Sequence, residues 1–172
     1  MIEPVSRIGM RREFVLRRRI QRLTWFFIFG LFISGVTAIP LRAEVHWLIS
    51  AIGALKSPTI FARWLLQIRD ALDETQIRRS FLFYGTDWLA FGHFMIALVF
   101  VGALRDPVRN RWLFDFGLIA CLLVVPFALI FGAWRGIPLW WRLIDCSFGV
   151  LGFVPLWLCR RWTIELEKSN SL

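Results

Sequence analysis

Apolar residues are not spread evenly along this chain; they gather into four long runs. A helix needs about 20 mostly apolar residues to cross the hydrocarbon core of a bilayer. Leu23–Pro40 carries no charged residue, and Trp88–Leu104 holds only His93. Leu113–Trp134 has Asp115 near its start, and a run from about Leu139 to Cys159 carries Arg142 and Asp145 in its first half. The pattern predicts an all-α membrane protein, a four-transmembrane-helix bundle forming one integral membrane domain over residues 1–172.

The segment between spans one and two, residues 41–87, has a pattern of its own. Ala43–Leu55 is mostly apolar and reads as helical. Ser57-Pro58 has the form of an N-cap followed by proline at the first helical position. From Ile60, apolar residues fall at 60, 61, 64, 65, 68 and 72, while Arg63, Gln67, Asp70 and Glu74 take the other face. That is a helical period with one wet side, suited to lying in the interface or capping the bundle. Neither stretch is long and apolar enough to be expected as a fifth span.

Close approach of helices in lipid depends on small residues. Gly30 and Ser34 in span one, Ala90, His93 and Ala97 in span two, and Gly149 and Gly152 in span four are the expected contact positions. Pro126 and Pro155 are expected to be ordinary kinks of membrane helices, freeing the carbonyls of Leu122 and Leu151.

Charge gives the bundle a direction. Seven arginines precede Leu23, namely Arg7, Arg11, Arg12, Arg17, Arg18, Arg19 and Arg22. With the N-terminus inside, the inner segments 1–22, 105–112 and 160–172 hold seven, three and three Lys or Arg in 43 residues. The outer segments 41–87 and 135–142 hold eight in 55. The bias places both termini in the cytoplasm. A basic tail of this kind could bind nucleic acid, but beside a span it marks a flank lying on anionic lipid head groups, and no nucleic acid partner is expected. Its length also argues against a signal peptide, so the first run is expected to be retained.

The bulk composition agrees. The chain is 58% hydrophobic, with a mean hydropathy of +0.60, 10 Trp and 17 Phe, richer in apolar residues than a soluble domain. Cys121, Cys146 and Cys159 lie in apolar runs with no CxxC spacing, and read as small buried hydrophobes rather than a disulfide framework or a metal site. The two histidines, His46 and His93, lie on different segments, which makes bis-histidine haem a poor expectation. No phosphate-binding glycine loop, zinc signature or nucleophile elbow occurs. No cofactor and no metal is expected.

Two groups of ionisable residues need an explanation, because charge near lipid is costly. Towards the outer face, Thr86-Asp87 opens span two and His93 lies roughly 9 Å deeper along the helix. Asp145 sits at a similar depth in span four, and Arg135 and Arg142 bracket the connection RGIPLWWR. One reading is an anion pocket, with Asp87, Arg135 and Arg142 binding a ligand while His93, its tautomer fixed by Asp145, transfers protons. The other is a polar knot fixing helix register, in which Arg142 and Asp145 pair one turn apart. At the inner face, Arg105, Asp106, Pro107, Arg109, Asn110 and Arg111 form a basic corner, with Arg111 within reach of Asp115. Here Arg105, Arg109 and Arg111 either contact head groups or a partner, or simply make a rigid turn.

The strings YGTDWLAFGH at 84–93, DPVRNRW at 106–112 and RGIPLWWRLIDCSFG at 135–149 together resemble a family of small bacterial multi-pass integral membrane proteins of unassigned activity. The resemblance covers roughly the second half of the chain. It implies a multi-pass topology in the bacterial cytoplasmic (inner) membrane, and no ligand or reaction. Two functions remain: a non-enzymatic scaffold, accessory subunit or lipid-contacting module with a membrane-protein partner or a second copy, or a membrane enzyme or small transporter using the outer pocket.

Overall fold

A computed structural model describes residues 4–53 and 59–170, with no strand among them. Six helices follow in order: α1 (Pro4–Ala38), α2 (Leu41–Ala51), α3 (Ile60–Arg78), α4 (Tyr84–Arg105), α5 (Arg111–Trp134) and α6 (Leu139–Asn170), with a short 3-10 turn at Ser80–Phe83 before α4. Four are long and apolar enough to cross a membrane: α1, α4 with its preceding turn, α5 and α6. The protein is therefore a helical multi-pass membrane protein.

The ends of α1 and α6 differ from the sequence expectation. The arginine-rich segment before Leu23 belongs to α1, and the segment after Cys159 belongs to α6. Arginine is a good helix former, and the extra turns bury a face. Leu16, Ile20 and Thr24, spaced four apart, are 6%, 0% and 0% exposed.

The chain divides into two compact units, Met1–Phe29 with Ala97–Leu172, and Gly30–Ile96. In the first, α5 and α6 form an antiparallel pair joined by a tight turn. The turn needs a left-handed residue, and Gly136 supplies it at φ +71. The Ile137 N–H then donates to the Gly132 carbonyl at 2.8 Å, closing the helix end. The glycine face of α6 packs as expected. A Cβ at Gly149 would lie 2.6 Å from the Cys121 carbonyl oxygen, and one at Gly152 would lie 2.9 Å from the Cys121 sulfur. The Phe27 and Phe100 rings meet at a tilt beside them, their centroids 4.8 Å apart.

In this unit the uncharged stretches end at one level. Gln21 donates to the Leu104 carbonyl at 3.4 Å, Thr24 lies 3.8 Å from the Cys159 sulfur, and Arg160 pairs with Asp115. Beyond that level the helix ends make a small folded layer. Leu16, Ile20, Leu113, Phe114 and Leu166 are almost fully buried in it, each burial contributing about 1.5–3 kcal/mol where water is the alternative.

In the second unit, α2 and α3 form a hairpin. The helix expected to begin at Ser57-Pro58 begins at Ile60, capped by the Thr59 hydroxyl, which accepts from the Ala62 N–H at 3.1 Å; Ser57 and Pro58 lie outside the described residues. Ala90 is buried as expected, but the small residue on α1 that meets α4 is Gly35, not Gly30. A Cβ at Gly35 would come within 3.1 Å of the Ala90 carbonyl, whereas Gly30 has open space around it. Both prolines sit inside unbroken helices, Pro126 in α5 and Pro155 in α6.

Candidate functional site

Of the residues that the sequence offers as a pocket on the outer side, Thr86 and His93 on α4 are held by bonds to nearby backbone. At the start of α4 the Thr86 hydroxyl donates to the Phe83 carbonyl at 2.7 Å and locks the 3-10 turn onto the helix. Asp87 in the next position lines a shallow cleft of about 230 Å³ with Tyr84, Trp88 and Phe91. All four come from α4, so the cleft is a groove on one helix. Its aromatics meet edge to face, Tyr84 with Trp88 at 5.9 Å and Trp88 with Phe91 at 5.4 Å. Such a ladder suits the membrane–water boundary.

His93 lies six residues beyond Asp87 on the same helix. Its Nδ1–H donates to the Leu89 carbonyl of the same helix at 2.8 Å. A carbonyl can only accept, so this bond requires a proton on Nδ1. That proton is held by the backbone of α4 itself.

In the other unit, Arg142 and Asp145 do not pair. Arg142 lies across Gly132 of α5, where an added Cβ would come within 2.5 Å of its side chain. Its Nη1 donates to the Leu129 carbonyl at 3.1 Å, while Nε is buried without a hydrogen-bond partner. The missing side chain at Gly132 draws the guanidinium towards α5 and away from its helical neighbour. Asp145, half-buried, keeps no hydrogen bond or ion pair among the described residues. Arg135 is exposed and stacks on Trp134 at 5.4 Å.

The inner corner is more thoroughly bonded than the sequence indicates. Asp106 accepts from the Val108 and Arg109 N–H groups, both at 3.1 Å. Asn110 donates its amide to the Gly102 and Asp106 carbonyls at 3.0 and 2.9 Å. The corner is a capped turn at 107–110. The expected Arg111–Asp115 pair does not form. Arg111 pairs with Glu167 at 2.5 Å, Asp115 pairs with Arg160, and Arg12 reaches Glu165 at 3.6 Å. Each of these bonds crosses between helices, because α6 brings its acids and bases closer than a turn of α5 does. Arg105 and Arg109 remain exposed at the corner.

Sequence reasoning missed one cluster. Arg42 and His46 on α2 converge on Asp73 of α3. Arg42 Nε donates to Asp73 at 2.5 Å, and His46 Nε2 lies 3.0 and 3.1 Å from its two oxygens. The His46 hydrogen bond, aided by Arg42, holds the Asp73 carboxyl below its ordinary range. The signal in the sequence was the spacing of Arg42 and His46, one helical turn apart on α2.

The three cysteines are buried and free. Cys159 donates to the Ile20 carbonyl at 3.7 Å, joining α6 to α1. Among the described residues, no three His, Cys, Asp or Glu side chains gather as metal ligands. No protein-family model, curated protein or solved structure matches the chain.

Proposed function

We propose that this protein is a non-enzymatic scaffold or accessory subunit of a bacterial cytoplasmic membrane, with both termini in the cytoplasm. The observation that carries the reading is the use made of charge at the helix ends. Asp115–Arg160, Arg111–Glu167 and Arg12–Glu165 join α1, α5 and α6 just beyond the apolar spans. These groups tie helices together, and the proton-transfer candidate His93 is bonded to its own backbone. The lipid-facing sides carry large exposed side chains such as Phe29, Trp88, Phe127 and Leu151. Arginines near the apolar boundary, Arg17, Arg19 and Arg22, are placed to meet anionic head groups. Blue-native electrophoresis of mildly solubilised native membranes tests the reading. A particle larger than the monomer, or one carrying bound lipid, is expected. A bare monomer contradicts it.

Asp145 favours a second reading. An unpaired acid inside a membrane helix is costly and often marks a functional site, and the buried Arg142 Nε on the same helix also lacks a partner. Under this reading the polar residues Arg135, Arg142 and Asp145 at the α5–α6 end and, separately, His93 on α4 serve an enzyme or small transporter for an anionic, lipid-like substrate. His93→Ala and Asp145→Asn would then fail to complement a deletion strain while accumulating normally. Normal complementation by both variants, or their failure to accumulate, removes the reading.

A further inference from the structure

The helical extension of α1 carries more charge, further from lipid, than head groups can use. Across residues 10–22, six arginines stand against a single acid, Glu13. One face of this segment is spent on packing, with Leu16 and Ile20 buried. On the opposite face, Arg11, Val15, Arg18 and Arg22 follow at steps of four, three and four, which makes a straight stripe along a helix. All four are exposed. Met10 and Phe14 border the stripe, 62% and 56% exposed, and the Arg18 guanidinium sits 4.4 Å over the Phe14 ring.

Height decides what the stripe can meet. The apolar run of α1 begins at Leu23. From Arg22 to Arg11 the helix rises by about 16 Å, whereas a head-group layer is only about 5–8 Å thick. Arg22 and Arg18 lie within or near that layer. On a helix running along the membrane normal with its lipid boundary at Leu23, Arg11, Met10 and Phe14 stand beyond that layer, where two large apolar side chains have no lipid to cover them. Arginine beside exposed aromatic and aliphatic groups is the composition of an interface centre. A second copy of the chain would present the same positive stripe and be repelled.

We infer that the Arg11–Phe14–Arg18 stripe of α1 docks an acidic amphipathic helix of a water-soluble protein, its carboxylates meeting the arginines and its apolar edge covering Met10, Phe14 and Val15. The inference rests on the scaffold reading, since it names a surface through which such a scaffold holds a partner.

The test uses the full chain in nanodiscs of phosphatidylcholine, which removes anionic lipid. Fluorescence anisotropy measures binding of a labelled helical peptide with glutamates spaced to match the stripe and leucines along one edge. A scrambled peptide of the same composition and a single-stranded oligonucleotide serve as competitors for the explanation. The ordered peptide is expected to bind about tenfold tighter than the scrambled one. Arg11→Glu/Arg18→Glu and Phe14→Ser should each weaken it by about tenfold or more, while Arg109→Glu/Arg161→Glu, the same charge change away from the stripe, should leave it unaltered. Absent binding, equal binding of the scrambled peptide or the oligonucleotide, or equal weakening by Arg109→Glu/Arg161→Glu would overturn the proposal. Such a failure leaves the scaffold reading standing, because migration in a native gel reports assembly through any surface.

Discussion

At the scale of single residues, two details decide stability. The first is the missing side chain at Gly149, which lets α6 lie against the backbone of α5 at Cys121. Backbone cannot step aside as a flexible side chain can. Gly149→Leu should destabilise the protein by about 1–3 kcal/mol or more, seen as a lower melting temperature in detergent. Gly30→Leu, facing open space, should change it little. The second is the Asp73 carboxylate, lowered in pKa by the His46 hydrogen bond and by Arg42. A lowered folded value means the ionised acid stabilises the fold at all pH above its ordinary range of about 4. That contribution is lost as pH falls through the folded value. Hydrogen exchange of α2 and α3, corrected for intrinsic rates, should therefore hold steady from pH 8 to 5 on account of Asp73 and rise below about pH 4. Asp73→Asn should show the faster exchange already at pH 7.

At the scale of elements, the pairing of helix ends is specific. Asp115 chooses Arg160 on α6 over Arg111 on its own helix. Exposed pairs of this kind contribute about 0.2–1 kcal/mol each, so Asp115→Arg or Arg160→Asp alone should lower the melting temperature slightly through like-charge contact. The exchanged double variant should recover much of the loss, which a thermal-shift series would show.

The elements also show what the sequence made legible. Long apolar runs with few charges marked the four spans, because lipid enforces that pattern strongly. The period from Ile60 marked the body of α3, while its cap fell to Thr59 and not to Ser57. The N-terminal extension of α1 is written in the spacing of Leu16, Ile20 and Thr24, but the arginines between them mask that apolar period. Partner choice was not legible. Arg111 and Asp115 have ideal spacing, and only the position of α6 takes each of them elsewhere. Gly30 and Gly35 are equal as letters, and helix rotation alone decides which one meets a neighbour. The Arg42–Asp73–His46 cluster joins residues 27 and 31 positions apart, beyond what one-helix periodicity can connect.

At the scale of the whole molecule, this is a membrane protein whose charged helix ends pair with one another. The pairs Asp115–Arg160 and Arg12–Glu165 place the start of α1, the start of α5 and the end of α6 on one side of the lipid. We propose, from the arginine bias, that this side is the cytoplasm. Single cysteines labelled with a membrane-impermeant maleimide test this most directly, the native cysteines being buried. In intact spheroplasts Ile77→Cys, at the 84% exposed end of α3, should label, and Arg109→Cys at the inner turn should label only after the membrane is opened. Labelling of Arg109→Cys from outside, or protection of Ile77→Cys until permeabilisation, would contradict the account.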